Sequence, residues 1–261
     1  MIEGAFLHFK GIGKKTRENL FQLGIIDWNT AEIYMSKIPF QDSKRNNFFK
    51  EITENKNALN QNDIAFFVNK FHPEDKWRIL ARYFEQASYF DIETDGIYNR
   101  ITTIALYHKG KLYNFTKNIN LDDFLDILED VKLIVSFNGS SFDVPVVIQN
   151  FRIQSFPVPH LDLRWICYHE GIRGGLKQIE RNLSIKRPQD LEGVDGFEAI
   201  QLWYRWSEYS DKDALARLIK YCSADVLSLV KLTEKILSKK MKAFSSIDDG
   251  EIWSLLSKVE G

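Results

Sequence analysis

Phe90-Asp91-Ile92-Glu93-Thr94 is the stretch from which the rest of the chain can be read. In an extended strand successive side chains alternate faces, so Asp91 and Glu93 share one face while Phe90 and Ile92 share the other. Two carboxylates side by side at the end of an otherwise apolar strand repel each other and resist removal from water. A bound divalent cation removes that conflict, because Mg²⁺ is held by carboxylate oxygens together with water and phosphate. The plainer reading is a solvated edge strand with two surface acids. A lone Asp-x-Glu does not choose between them.

Working outward, Tyr89–Thr94, Ile101–His108 and Lys111–Phe115 have the composition of consecutive strands, punctuated by Gly96 and by the Lys109-Gly110 turn. Leu121–Leu128 is then expected as helix, Lys132–Phe137 as a short apolar strand and Val144–Phe151 as helix. Beyond the Pro157/Pro159 break the chain is mostly helical, with its strongest helix over Asp213–Leu237. Upstream, Thr16–Leu23, Thr30–Met35, Arg45–Thr53, Asp63–Phe71 and Glu74–Phe84 carry apolar residues at helical spacing, and the polar Asn55–Asn62 stretch is expected as a loop. Three strands followed by alternating helix and strand predict an α/β fold, a mixed sheet flanked by helices, preceded by a small all-α N-terminal region. The expected division is a helical region over 1–86, a catalytic domain over 87–240 and a helical tail over 241–261.

Two further pieces carry acids. Phe137-Asn138-Gly139-Ser140-Ser141-Phe142-Asp143 joins an apolar strand to an apolar helix and places Asp143 in the first turn, where the helix dipole favours a carboxylate. Alone, that is an N-terminal capping acid. Tyr221 and Asp225 lie four apart and therefore on one helical face. An acid within such an apolar face calls for a counterpart, and a buried metal supplies one. Asp95 beside Gly96 reads as a solvated acid in a turn. Asp162, in His160-Leu161-Asp162, reads as structural support. Arg173-Gly174-Gly175-Leu176-Lys177 reads equally as a phosphate-holding helix start and as an ordinary glycine-rich one.

The order Asp-x-Glu, then Asn-x-x-x-Phe-Asp, then Tyr-x-x-x-Asp resembles the three exonuclease motifs of the DEDD group in the ribonuclease H-like superfamily, and the tyrosine before the last Asp resembles its DEDDy branch. The resemblance spans about Ser88 to Ser238. Leu161-Asp162-Leu163 and Asp225–Leu229 make it most similar to the exonucleases of the YprB type. It implies a ribonuclease H-like fold and 3′→5′ exonuclease activity. It also implies two Mg²⁺ or Mn²⁺ ions held by Asp91, Glu93, Asp143 and Asp225, with Tyr221 orienting the attacking water. Asn138 and Phe142 become candidates for contact with the substrate, beside structural roles as a loop support and a buried staple.

Phe9-Lys10-Gly11-Ile12-Gly13-Lys14-Lys15-Thr16 resembles the hairpin of a helix-hairpin-helix motif, which implies that amides at Gly11 and Gly13, with the charges of Lys14 and Lys15, meet DNA phosphate without reading sequence. The stretch before it, Met1–Phe9, is barely long enough for a first helix. The hairpin tilts the expected substrate toward DNA over RNA. A ribonuclease D-type RNA exonuclease, an endonuclease and a silent nucleic-acid-binding protein on the same fold are the other readings. The net charge of −1, from 35 basic and 36 acidic residues, is neutral on this question. No apolar run approaches the roughly 18 residues of a membrane span. The start Met1-Ile2-Glu3-Gly4 lacks a secretory pattern, and the two isolated cysteines, Cys167 and Cys222, fit a reducing cytoplasm.

Overall fold

The computed structural model describes residues 1–188, 191 and 196–258, and the chain divides into two compact units, Met1–Phe84 and Glu85 onward. In the first unit the helices are α1 (Lys14–Gln22), α2 (Trp28–Ile33), α3 (Asp42–Asn60), α4 (Ile64–Lys70) and α5 (Trp77–Tyr83). A capping box starts α2, with the Asp27 side chain accepting from the Thr30 N–H at 2.8 Å and the Thr30 hydroxyl accepting from the Asp27 N–H. Phe6, Phe9 and Phe48 pack ring to ring, and the fully buried Trp28 donates its indole N–H to the Ala5 carbonyl at 2.9 Å.

The loop expected over Asn55–Asn62 is helix as far as Asn60. Phe48, Ile52, Asn55 and Ala58 are buried at helical spacing, and Asn55 is the polar member of that face. Its amide donates to the Glu51 carbonyl and its oxygen meets the His8 ring at 2.9 Å. A buried, fully engaged asparagine is invisible to composition, which scores the stretch as polar.

In the second unit the elements are β1 (Ala87–Thr94), β2 (Ile101–His108), β3 (Lys111–Thr116), α6 (Phe124–Leu128), β4 (Leu133–Ser136), α7 (Asp143–Phe151), β5 (His160–Asp162), α8 (Leu163–His169), α9 (Leu176–Asn182), α10 (Gly196–Tyr209), α11 (Lys212–Lys240) and α12 (Asp249–Ser254). The five strands form one mixed sheet ordered β3-β2-β1-β4-β5, as expected for the fold class. β1 pairs antiparallel with β2 and parallel with β4, so it lies at the centre. Its alternation sorts the side chains. Phe90 and Ile92 enter a core with Ile104 and Leu106 from β2, Phe124 from α6 and Val146 and Val147 from α7. Full burial of a residue such as Phe90 contributes about 1.5–3 kcal/mol. Asp91 and Glu93 face the other way, toward α11, whose Cys222 thiol reaches the Asp91 carbonyl at 3.5 Å.

α12 continues this unit, with Ile252 and Leu256 buried and the Lys231 ammonium of α11 bonded to the Ile247 carbonyl at 2.8 Å and to Asp249 at 2.7 Å. Residues 259–261 of the expected tail lie outside the described residues. No helix among the described residues is long and apolar enough to cross a membrane.

Candidate active site

Three elements deliver the sequence-predicted acids to one place. Asp91 and Glu93 end β1, where the β1–β2 register slips between Glu93 and Thr94. A bulge of this kind re-aims the side chains at a strand end. Asp143 is the first residue of α7, and Tyr221 and Asp225 lie one turn apart on α11. One ligand atom from each of Asp91, Glu93 and Cys222 lies within 4.8 Å of the other two.

The acids feel one another. Burial, then the charges of Asp225, Asp143 and Glu93, push Asp91 well above the usual carboxylate range. Burial and the same neighbours Asp225 and Asp143 raise Glu93 to about 8. Burial raises Asp143 to about 7, against hydrogen bonds from the backbone at Asp143 and Ile92 that pull it back. Asp225 behaves in the opposite sense. Burial pushes it up, but Arg187 and Lys177 outweigh burial and hold it below the ordinary value. Its Oδ1 accepts from the Lys177 ammonium at 3.0 Å and from the Arg187 guanidinium. The Arg187 side chain is itself buried and also clasps Glu180 through Nε, at 3.1 and 3.2 Å to the two oxygens.

Three carboxylates raised by burial and mutual repulsion form a donor set that a divalent cation would relieve, so the residues fit such an ion. Cys222 adds a sulfur beside Asp91, with its thiol kept protonated by burial and by the acids. Tyr221 packs with Ala199, Leu202, Trp203, Ala214 and Leu218, and the Lys177 ammonium sits 4.6 Å from its ring centroid. Burial, followed by the charges of Asp225, Glu93 and Asp91, raises the phenol, so it keeps its proton across the neutral range.

The loop carrying Asp143 is held from β5. Asp162 accepts backbone N–H bonds from Asn138 at 2.8 Å, Ser140 at 3.0 Å and Arg164 at 3.0 Å. Asn138 adopts the left-handed conformation, φ 66°, and accepts from Arg164 through its side chain. A Cβ at Gly139 would lie 2.0 Å from Ser136 Oγ and 3.2 Å from the Asp143 carboxylate, so only glycine fits there. Phe142, one of whose expected uses was a buried staple, is 37% exposed. Asp95 binds the amides of Ile97, Tyr98 and Arg100 and organises its turn.

Sequence reasoning missed Arg187, Glu180, Cys222 and Gly139, and weighed Lys177 only as part of a glycine-rich helix start. The two basic residues lie 38 and 48 positions from Asp225, a distance at which no periodicity or motif joins them.

In the first unit, a 3-10 turn at Ile2–Gly4 and hydrogen-bonded turns precede the hairpin, and α1 begins at Lys14 with Gly13 as its N-cap. Gly11 is left-handed at φ 76°, whereas nothing lies within 4 Å of a Cβ built on Gly13. Ile12 is buried and Gly11, Gly13 and Lys15 are exposed. Lys14 is ion-paired with Glu74, which occupies part of the charge expected to face phosphate.

The fold and site define an α/β domain whose central strand presents paired acids to a covering helix. The chain belongs to the ribonuclease H superfamily: the RNase_H_2 family model, described as RNase_H superfamily, matches residues 88–237. No curated protein matches the chain. Among solved structures, a family B DNA polymerase from the hyperthermophilic archaeon Pyrobaculum calidifontis is similar over 56% of this chain and 24% of its own, at 13% identity and a TM-score of 0.44. The present chain thus spans about a quarter of that polymerase's length.

Proposed function

We propose that the chain is a divalent-metal-dependent 3′→5′ exonuclease of the DEDDy kind, hydrolysing phosphodiester bonds of DNA. The observation that carries this reading is the convergence of Asp91, Glu93 and Asp143, each lifted by burial and by its neighbours' charge, beside an Asp225 held ionised by two cations. Asp91, Glu93, Asp143 and Asp225 would hold two Mg²⁺ or Mn²⁺ ions. Bound there, such ions polarise phosphate oxygens and lower the pKa of an attacking water.

The chain's own groups supply the rest. Tyr221 keeps its proton and therefore donates a hydrogen bond that orients water, rather than abstracting a proton. Lys177 and Arg187 place positive charge where phosphate would otherwise face four carboxylates. Asp162 fixes the loop that aims Asp143, and in this reading Asn138 and Phe142 on that loop contact the substrate. Residues 1–86 serve affinity, with amides at Gly11 and Gly13 and the Lys15 ammonium meeting DNA phosphate. Residues 87–240 serve chemistry, and 241–261 form the tail.

The test is digestion of 5′- and 3′-labelled single- and double-stranded DNA and RNA in Mg²⁺, Mn²⁺ or EDTA, with wild type, Asp91→Asn and Asp225→Asn. Stepwise loss of the 3′ label from DNA, abolished by EDTA and by either variant, is the expected result. Cleavage confined to RNA would make the protein a ribonuclease D-type enzyme. Full metal-dependent turnover by either variant would remove the site assignment.

A further inference from the structure

Trp165 and Tyr168 are large aromatic side chains left 49% and 45% exposed on α8. Their three-residue spacing puts them on one face, while Ile166 and Cys167 are buried on the other. They line a groove of about 610 Å³ between α8 and the start of α9, together with Arg164 and Arg173. The Arg173 guanidinium stands 4.2 Å from the Tyr168 ring centroid, and the Trp165 and Tyr168 rings meet edge to face at 6.1 Å. Among the described residues that line this groove none is acidic, in a chain with 36 acids.

We propose that this groove binds unpaired bases of a single-stranded nucleic acid, with Trp165 and Tyr168 as the stacking platform and Arg164 and Arg173 as the phosphate contacts. The proposal rests on the nuclease reading and extends it by naming where the strand lies. Two observations select the occupant. The first is charge and shape: exposed rings interleaved with arginines are the combination by which proteins hold single strands, since every base offers a flat face and every link a negative charge. The volume lies within the roughly 300–1,000 Å³ of small-ligand sites, which suits a base with its sugar and phosphate. In a duplex the base faces are stacked on one another and closed to such rings.

The second is continuity with the acids. Asn138 lines the groove and belongs to the loop that ends at Asp143. Gly175 lines it at the other side and caps α9, where Lys177 bonds Asp225 two residues later. A strand lying in the groove therefore runs along both supports of the acidic site.

The experiment measures anisotropy of short labelled oligo-dT, oligo-rU and a blunt DNA duplex with the full chain in EDTA, where no cleavage intrudes. It compares wild type with Trp165→Ala/Tyr168→Ala, Trp165→Phe and Arg173→Glu. Hydrolysis of the p-nitrophenyl ester of thymidine 5′-phosphate, too small to span the groove and the acids, is followed in Mn²⁺. The expected result is a loss of roughly 5- to 150-fold in oligo affinity for each ring removed. Trp165→Phe should retain most of the affinity, Arg173→Glu should lower it with a shallower salt dependence, and duplex binding and ester hydrolysis should stay as in wild type. The two single-stranded arms tell whether the strand is DNA, RNA or either. Unchanged single-strand affinity in the double variant, or an equal loss on duplex, overturns the groove. Ring-dependent binding by a protein that hydrolyses nothing overturns the nuclease reading and leaves the groove standing.

Discussion

Replacing Glu93 by glutamine keeps the shape of the side chain and deletes its charge, which makes it a direct probe of the strain stored among the acids. In the folded protein Glu93 sits at about 8 instead of 4.5. The folded state therefore binds a proton that the unfolded chain releases. That contribution is fully present below about pH 4.5 and is lost as pH rises through about 8. Asp143, moved from 3.8 to about 7, acts in the same sense, while Asp225, held low by its cations, acts oppositely and only in acid. The displacement of Glu93 corresponds to about 5 kcal/mol if it titrated alone. Asp91 and Asp143 share the same pool of charge and take up part of the relief, so Glu93→Gln should stabilise the metal-free protein by about 1–2 kcal/mol at pH 8. At about 2–4 °C per kcal/mol for a chain of this size, the unfolding midpoint rises by about 2–8 °C. Thermal unfolding by circular dichroism at pH 4.5 and pH 8, in EDTA and in excess Mg²⁺, reads all of this. The gain should vanish at pH 4.5, and Mg²⁺ should raise wild type more than the variant. A variant less stable than wild type at pH 8 in EDTA, or equally shifted at both pH values, refutes the reasoning.

Tyr221→Phe should slow turnover on DNA by about 10²–10⁴-fold while leaving Mg²⁺ binding by calorimetry unchanged; unaltered turnover makes Tyr221 a packing residue. Gly139→Ala drives a methyl into Ser136 and against Asp143. It should cost about 1–3 kcal/mol in denaturant unfolding and depress activity together with it, and a neutral outcome would mean that the loop relaxes freely. Gly13→Thr is the clean probe of the hairpin, because its Cβ meets nothing and threonine suits the N-cap of α1 about as well as glycine, while Gly11 is confined by its positive φ. It should leave the unfolding midpoint in place and weaken duplex DNA binding. Lys15→Glu should lower the slope of log affinity against log salt by about one or more. If both variants bind DNA as wild type does, the hairpin is a structural turn.

The sheet was legible because β1, β2 and β3 have the composition of strands and are separated by turn residues whose positive φ, at Gly96, Lys109 and Gly110, is present in the structure. The acids and Tyr221 stood out because each sits at an apolar position's neighbour or within an apolar face, where a charge needs a reason. What resisted reading is pairing at a distance. Arg187 looks like any basic residue after a helix until Glu180 and Asp225 appear on either side of it. Gly139 is one small residue among Gly-Ser-Ser until a Cβ is built on it. Asn55 was scored as loop because composition cannot tell a solvated amide from one locked between His8 and Glu51.

The double grip of Arg187 also fixes an order in which this site can be lost over evolutionary time. A descendant that first mutates Arg187 strands the buried Glu180 and leaves Asp225 with Lys177 alone, a defect of about 3–5 kcal/mol for a broken buried pair. A descendant that first neutralises Asp225 leaves the arginine still satisfied by Glu180 and remains folded. Lineages that give up catalysis should therefore shed the acid before the base, and an intact Arg187–Glu180 pair beside a missing acid at 225 would mark a chain that lost activity recently.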